Sequence, residues 1–167
     1  MIFLTVGTQL PFDRLVTMVD SWAQTQQTKK VIAQIGNSSL RPKNIECSAY
    51  MTAKECKACF LDSEIIVSHA GMGTILTALD LGKRLVIVPR LASMGEHRND
   101  HQLATAEQFK HFPLVQVVLD LSQLGNVLDE AQESPTSMPP ISTASSTLLQ
   151  AVTSFITIDS GAKWPQT

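Results

Sequence analysis

Between Glu96 and Gln102 the chain sets Glu96, His97, Arg98, Asn99, Asp100, His101 and Gln102 in unbroken succession. Asp100 alone could serve as a helix N-cap, and Arg98 as a solvated charge. Two histidines, two carboxylates, two amides and an arginine exceed what capping requires. Such groups suit the hydroxyls of a ribose and a sugar. They suit a metal less, because His97 and His101 have no further ligands at regular spacing. A second cluster is Ser68-His69-Ala70-Gly71-Met72-Gly73-Thr74. Glycine lets a ligand approach the backbone closely, and a helix starting there would offer unpaired N–H groups and a positive dipole end to a phosphate. Thr74 adds a hydroxyl. The same glycines also fit a tight strand-to-helix turn that holds nothing. No GxGxxG is present and no Lys-Ser/Thr follows the second glycine, so neither a P-loop nor an ordinary NAD site is supported. Gly7-Thr8, with Gln9 and Asp13 nearby, is a third turn of small residues. His69 reads either as a general base or as a satisfied polar residue.

These clusters need a scaffold. Apolar runs at Ile2 to Val6, Lys30 to Ile35, Ile65 to Val67, Leu85 to Val88 and Leu114 to Leu119 read as buried strands. Helical spacing predicts helices over Pro11 to Thr25, Thr52 to Leu61, Gly73 to Leu81 and His101 to Phe109. Thr52 with Glu55 three residues on is a capping-box pattern. Alternation of buried strands with helices predicts an α/β fold, a Rossmann-like parallel sheet with helices on both faces. In such sheets ligands bind outside the carboxyl ends of the strands. That rule selects the loops at Gly7-Thr8-Gln9, at Gly36-Asn37-Ser38, from His69 to Thr74 and from Pro89 to Gln102, which hold the residues just described.

The bulk numbers agree with one domain. The chain has 167 residues, 44% apolar and 17% charged, as an ordinary globular protein does. A formal net charge of -2 speaks against a nucleic-acid binder working through a broad basic field. Cys47, Cys56 and Cys59 include one CxxC, but no second pair and no paired histidines follow, so small residues on a helix explain it better than zinc or redox chemistry. The first six residues lack the basic flank and the length of a signal peptide, no run is long enough to span a membrane, and a cytoplasmic location is expected. The expected organisation is a ligand-binding domain over 1–131, a Ser/Thr/Pro-rich linker over 132–147, and a C-terminal docking helix and tail over 148–167. In that last stretch Leu148, Leu149, Val152, Phe155 and Ile156 share one helical face.

Three stretches, "TVGTQLPFDRLV", "SHAGMGTILTALDLGKRLVIVPR" and "GEHRNDHQLA", together resemble the donor-binding subunit of split GT-B glycosyltransferases. These belong with the C-terminal domain of glycosyltransferase family 28. The resemblance covers about residues 1 to 130 and is nearest to bacterial exopolysaccharide and capsule transferase subunits. It implies the C-terminal half of a GT-B fold that binds a UDP-sugar donor. It also implies a membrane-anchored partner subunit that binds a lipid-linked acceptor and recruits this chain to the cytoplasmic face. Carried over by position, Gly7, Thr8 and Gln9 would lie near the phosphates or sugar. Ser68, His69, Gly71, Met72, Gly73 and Thr74 would form the diphosphate loop. Glu96, His97, Asn99, Asp100 and Gln102 would address the sugar and ribose. The glutamate that holds the ribose in the single-chain peptidoglycan relative is replaced here by Thr77, which leaves Asp80 or Glu96 for that role.

The resemblance further implies inverting transfer with no bound cofactor and no metal, since no DxD-like pair is present and a helix dipole with backbone N–H groups can stabilise the departing UDP. The base is His69 or lies on the partner. A chain holding half of the cleft should have little activity alone. The alternative is a non-catalytic nucleotide-sugar-binding or regulatory module. A nucleotide-sugar epimerase of similar fold would need two domains in one chain.

Overall fold

The computed structural model describes residues 1–26 and 29–133. Six strands form one sheet: β1 (Ile2–Thr5), β2 (Val31–Gln34), β3 (Glu46–Ser48), β4 (Ile65–His69), β5 (Arg84–Val88) and β6 (Val115–Val117). Among the described residues five α-helices join or follow them: α1 (Asp13–Ala23), α2 (Ala53–Asp62), α3 (Met72–Asp80), α4 (His101–Phe109) and α5 (Leu124–Glu133). The strand order is β3-β2-β1-β4-β5-β6, and every pairing is parallel. The Rossmann-like parallel sheet expected from the sequence is therefore present.

The period of two along each strand sorts its side chains to opposite faces. Ile2, Leu4 and Val6, with Val67, Val86 and Val88, meet Leu15, Val16, Val19 and Trp22 of α1 and Leu124 and Leu128 of α5. Phe3, Ile66, Leu85 and Ile87 point the other way, toward Phe60 of α2, Ile75, Ala78 and Leu79 of α3, and Phe109 of α4. Each fully buried Phe or Leu stabilises this sandwich by about 2 kcal/mol. Asp129 of α5 accepts a hydrogen bond from Trp22 Nε1 at 3.0 Å, which fastens α5 to α1.

Local signals explain most boundaries. Both halves of the capping box at Thr52 and Glu55 are formed, and its hydrogen bonds hold the Glu55 carboxyl below its usual range. Two elements lie outside the sequence expectations. Strand β3 is exposed at all three residues, so it carries no apolar run; its backbone pairing with Ile32 to Gln34 defines it. Helix α5 buries Leu124, Leu128 and Ala131 on one helical face and ends at Glu133, so Gln132 and Glu133 are helical. The rest of the linker, 134–147, and the docking helix and tail, 148–167, lie outside the described residues. Among the described residues no helix is long and apolar enough to cross a membrane.

The topology decides where a site can form. From β1 the chain moves outward to β2 and β3, then crosses back to place β4 on the other side of β1. Thr5 pairs with Ser68, and His69 with Val88, so the loops leaving β1, β4 and β5 open side by side at one edge. This is the topological switch point, where loops diverge to opposite faces and leave a crevice.

Candidate functional site

A cavity of about 450 Å³ occupies that crevice. Its walls come from Val6 to Leu10 after β1, His69 to Thr74 at the end of β4 and start of α3, Arg90 after β5, and His97, His101, Gln102 and Thr105. Ten of the residues expected from the sequence line it: Gly7, Thr8, Gln9, His69, Gly71, Met72, Gly73, Thr74, His97 and Gln102. Among the described residues no aspartate or glutamate lines it. Arg90 and the N-terminus of α3 supply positive charge there, and three histidines supply ring nitrogens, which suits the concavity to an anion.

The glycine turn is built around His69. A Cβ on Gly71 would stand 2.2 Å from His69 Nε2, and one on Gly7 would stand 2.8 Å from His69 Cε1. The imidazole thus fills the room that both turns leave free. Gly7 also has φ of +76°, a left-handed conformation that disfavours any side chain. Gly71 is the N-cap residue of α3 at φ of −94°, so its requirement is the histidine ring rather than an unusual backbone. Gly73 differs from both, since a Cβ there would meet no atom within 4 Å among the described residues beyond its own stretch of helix. It sits in the first turn of α3, where a small residue leaves the helix N–H groups open to the cavity.

Burial pulls the His69 pKa from 6.5 to about 4, with Arg90 and then His97 adding to the effect and the Thr5 backbone opposing it. His69 is therefore neutral at pH 7. Its Nδ1 lies 3.3 Å from Ser68 Oγ, which also donates to the His69 carbonyl at 3.0 Å. His97 and His101 pack edge to face at 4.4 Å, and His97 Nδ1 is buried without a hydrogen-bond partner among the described residues.

Four expected residues do not line the cavity. Ser68 is fully buried behind His69. Glu96 makes a bidentate pair with Arg14, at 2.7 and 2.9 Å, and accepts a hydrogen bond from Leu91 N at 3.0 Å. Asp100 accepts from Ala92 N at 2.9 Å, and Asn99 is exposed. These contacts tie α1 and the start of α4 to the chain after β5, so they shape the loop from behind. Thr77 donates back to Gly73 O at 2.8 Å, and Asp80 closes α3 about 12 Å along the helix from its first residue. Neither lines the cavity.

Arg90 is the residue that sequence reasoning missed. Its side chain is 3% exposed, yet it lines the cavity and carries a charge. The available signal was its place: an arginine two residues beyond a buried strand, at the edge where ligands bind. His101, part of the polar run read as suited to a ribose and a sugar, lines the cavity too, as do Leu10 and Thr105, which sequence reasoning did not single out. Cys56 and Cys59 are free thiols on α2, and burial pushes both pKa values up, the opposite of an activated thiolate.

Known proteins point the same way. The family model described as the glycosyltransferase family 28 C-terminal domain matches residues 1–156. The UDP-N-acetylglucosamine transferase subunit ALG13 of Homo sapiens is 31% identical over 117 residues, 64% of this chain and 10% of that protein. The same subunit of Mus musculus is 30% identical over 116 residues, with the same coverage. The chain thus spans 10% of the length of these curated relatives. Among solved structures, the kitacinnamycin glycotransferase superposes with a TM-score of 0.63 at 16% identity, covering 92% of this chain and 37% of that one. The solution structure of ALG13 gives 0.59 at 20% identity, covering 84% and 88%. MurG of Acinetobacter baumannii gives 0.56 at 17% identity, covering 78% and 41%. At these identities the structures establish the fold, that of one half of a GT-B glycosyltransferase. With the family model matched over most of its length, the chain belongs to the glycosyltransferase family 28 C-terminal domain family.

Proposed function

We propose that this chain is the UDP-sugar-binding catalytic subunit of a two-component inverting glycosyltransferase, acting on a lipid-linked acceptor held by a membrane-anchored partner. The observation that carries the reading is the cavity at the switch point, ringed by His69, His97, His101, Arg90 and the start of α3, with no carboxylate in its lining among the described residues. Such a site fits a diphosphate with a uridine and a sugar at its two ends. The relatives' name, a UDP-N-acetylglucosamine transferase subunit, supports the same donor class and a shared task between subunits. The resemblance of the three stretches, taken together, to bacterial exopolysaccharide and capsule transferase subunits suggests such assembly as the setting, with this chain recruited from the cytoplasm by its partner.

In this reading the open N–H groups at Gly73 and Thr74 receive the diphosphate and stabilise its charge as the sugar leaves. Gln102 and His97 face the sugar end, while Ser68, Glu96, Asn99 and Asp100 hold the loops in place. His69 is the catalytic residue contributed by this chain. Neutral at pH 7, it can take a proton, and a bound diphosphate offsets the charge of Arg90 and raises its proton affinity. Calorimetric titration of a UDP-sugar panel, with and without the membrane subunit, tests the proposal. Binding of one UDP-sugar, with transfer only when the partner is present, is expected. Absence of UDP binding would sink the donor reading, and strong lipid-linked transfer by the chain alone would sink the two-component one.

A further inference from the structure

Arg90 is a buried cation placed where it touches the ligand loops from beneath. One nitrogen, Nη2, donates to Val6 O at 2.8 Å and to Leu10 O at 2.6 Å. These two carbonyls bracket Gly7, Thr8 and Gln9, so a single guanidinium fastens both ends of the first cavity loop. The Arg90 backbone N–H donates to Gln102 Oε1 at 3.0 Å, which orients a side chain that is itself 4% exposed at the start of α4. The guanidinium also lies 5.1 Å from the centre of the Phe12 ring, which limits its movement. No carboxylate pairs with it among the described residues, and Glu96, the acidic group that acts on it through space, is engaged by Arg14. Among the described residues Arg90 Nε is buried without an acceptor, so the charge of this cavity-lining residue is only partly satisfied.

We propose that the Arg90 side chain is a positioning group that holds the Gly7–Gln9 loop in place around a bound diphosphate, so that the site ranks nucleoside diphosphates above the bare nucleoside. The inference rests on the donor-site reading above. Its physical basis is that a buried cation making two charge-assisted hydrogen bonds to carbonyls fixes a loop more firmly than neutral contacts can. A fixed charge that the fold does not neutralise then favours the charged portion of the ligand over the uracil and ribose. Lysine at this position keeps the charge but presents one compact donor group in place of the planar fork.

The test uses the full chain and its Arg90→Met and Arg90→Lys variants. UDP and uridine are titrated calorimetrically, and backbone amide order parameters are measured for Thr8 and Gln9 without ligand. Arg90→Met should weaken UDP about 30-fold and uridine less than about threefold. Its order parameters at Thr8 and Gln9 should fall below about 0.6, from the rigid values of the parent chain. Arg90→Lys should recover part of the UDP affinity, to within about tenfold of the parent. Unchanged UDP binding in a folded Arg90→Met, or equal losses for UDP and uridine with the loop still rigid, would overturn the inference. If Arg90→Met does not fold, the same two readouts on Arg90→Lys decide. A parent chain that binds neither ligand would defeat the donor-site reading itself. Loop order alone would then judge the clamp, and a rigid loop in the variant would refute it.

Discussion

The turn from Ala70 to Thr74 and the loop from Arg90 to Gln102 reach the same cavity in opposite ways. The turn presents backbone, and its glycines leave space: one for the His69 ring, one for whatever enters. The loop presents side chains, yet its charged groups mostly face away, Glu96 toward Arg14 and Asp100 toward Ala92 N. Only His97, His101 and Gln102 of its polar run line the cavity. A dense polar sequence is therefore partly structural support, while a sparse glycine turn is the more direct ligand surface. The reason is steric. Long charged side chains on an irregular loop find partners in the fold, whereas a glycine cannot cover its own N–H groups.

The largest expected effect breaks the turn through its histidine. The unfolded chain protonates His69 near 6.5, the folded chain only near 4, so the unfolded state binds more protons between these values. Stability should consequently fall as pH drops from about 6.5 to about 4, by on the order of 3 kcal/mol at the acid end from this residue alone. Urea melts at pH 7 and pH 4 should show this loss reduced in His69→Gln. An identical acid loss in the variant would mean that His69 is not held neutral by the fold.

Next comes a pair within the turn. Gly71→Ala drives a methyl into the His69 ring and should cost about 2 kcal/mol in thermal or urea unfolding, together with UDP affinity. Gly73→Ala meets no atom among the described residues beyond its own stretch of helix and should leave stability equal or raise it by up to about 1 kcal/mol, because alanine favours the helix. A loss of UDP binding in Gly73→Ala without loss of stability would mark the position as a ligand surface. Equal destabilisation by both substitutions would erase the distinction drawn between the glycines.

In the loop, Glu96→Gln removes the bidentate charge pair with Arg14 and weakens the bond to Leu91 N. A cost of about 1 to 2 kcal/mol is expected, since the pair is partly buried. A double-mutant cycle with Arg14→Met should return a coupling of about 1 kcal/mol. UDP-sugar affinity should suffer less from Glu96→Gln than from Gln102→Ala, and the reverse order would make Glu96 a direct ligand. The smallest effect belongs to Asp100→Ala, where an exposed acceptor for Ala92 N is lost at about 0.5 kcal/mol. A chemical melt accurate enough to rank it below Glu96→Gln completes the series.

Much of this architecture was legible before any coordinates. Five of the six strands are apolar runs, because a parallel strand covered on both faces must be apolar along its length. Strand β3 has no such run and its side chains stay exposed, so its only signature is hydrogen bonding to β2, which no residue type announces. Helix α5 did carry a periodic signal in Leu124, Leu128 and Ala131, lying just before the change to Ser/Thr/Pro-rich composition. The residues at the strand ends were correctly grouped at one edge, since the carboxyl-end rule needs only the alternation of strands and helices.

By itself, then, the sequence determined the α/β class, the edge of the sheet where a ligand can sit, and the stretches that mark the family. Periodicity and short-range spacing are local properties that survive in one dimension. Only the tertiary structure decided that Gly71 exists for the His69 ring, that Glu96 faces Arg14, and that Arg90 reaches back across 84 and 80 positions to Val6 and Leu10. Those assignments depend on which strands become neighbours and on how far a buried side chain can extend. Distance in space, unlike hydrophobic period, is not written along the chain.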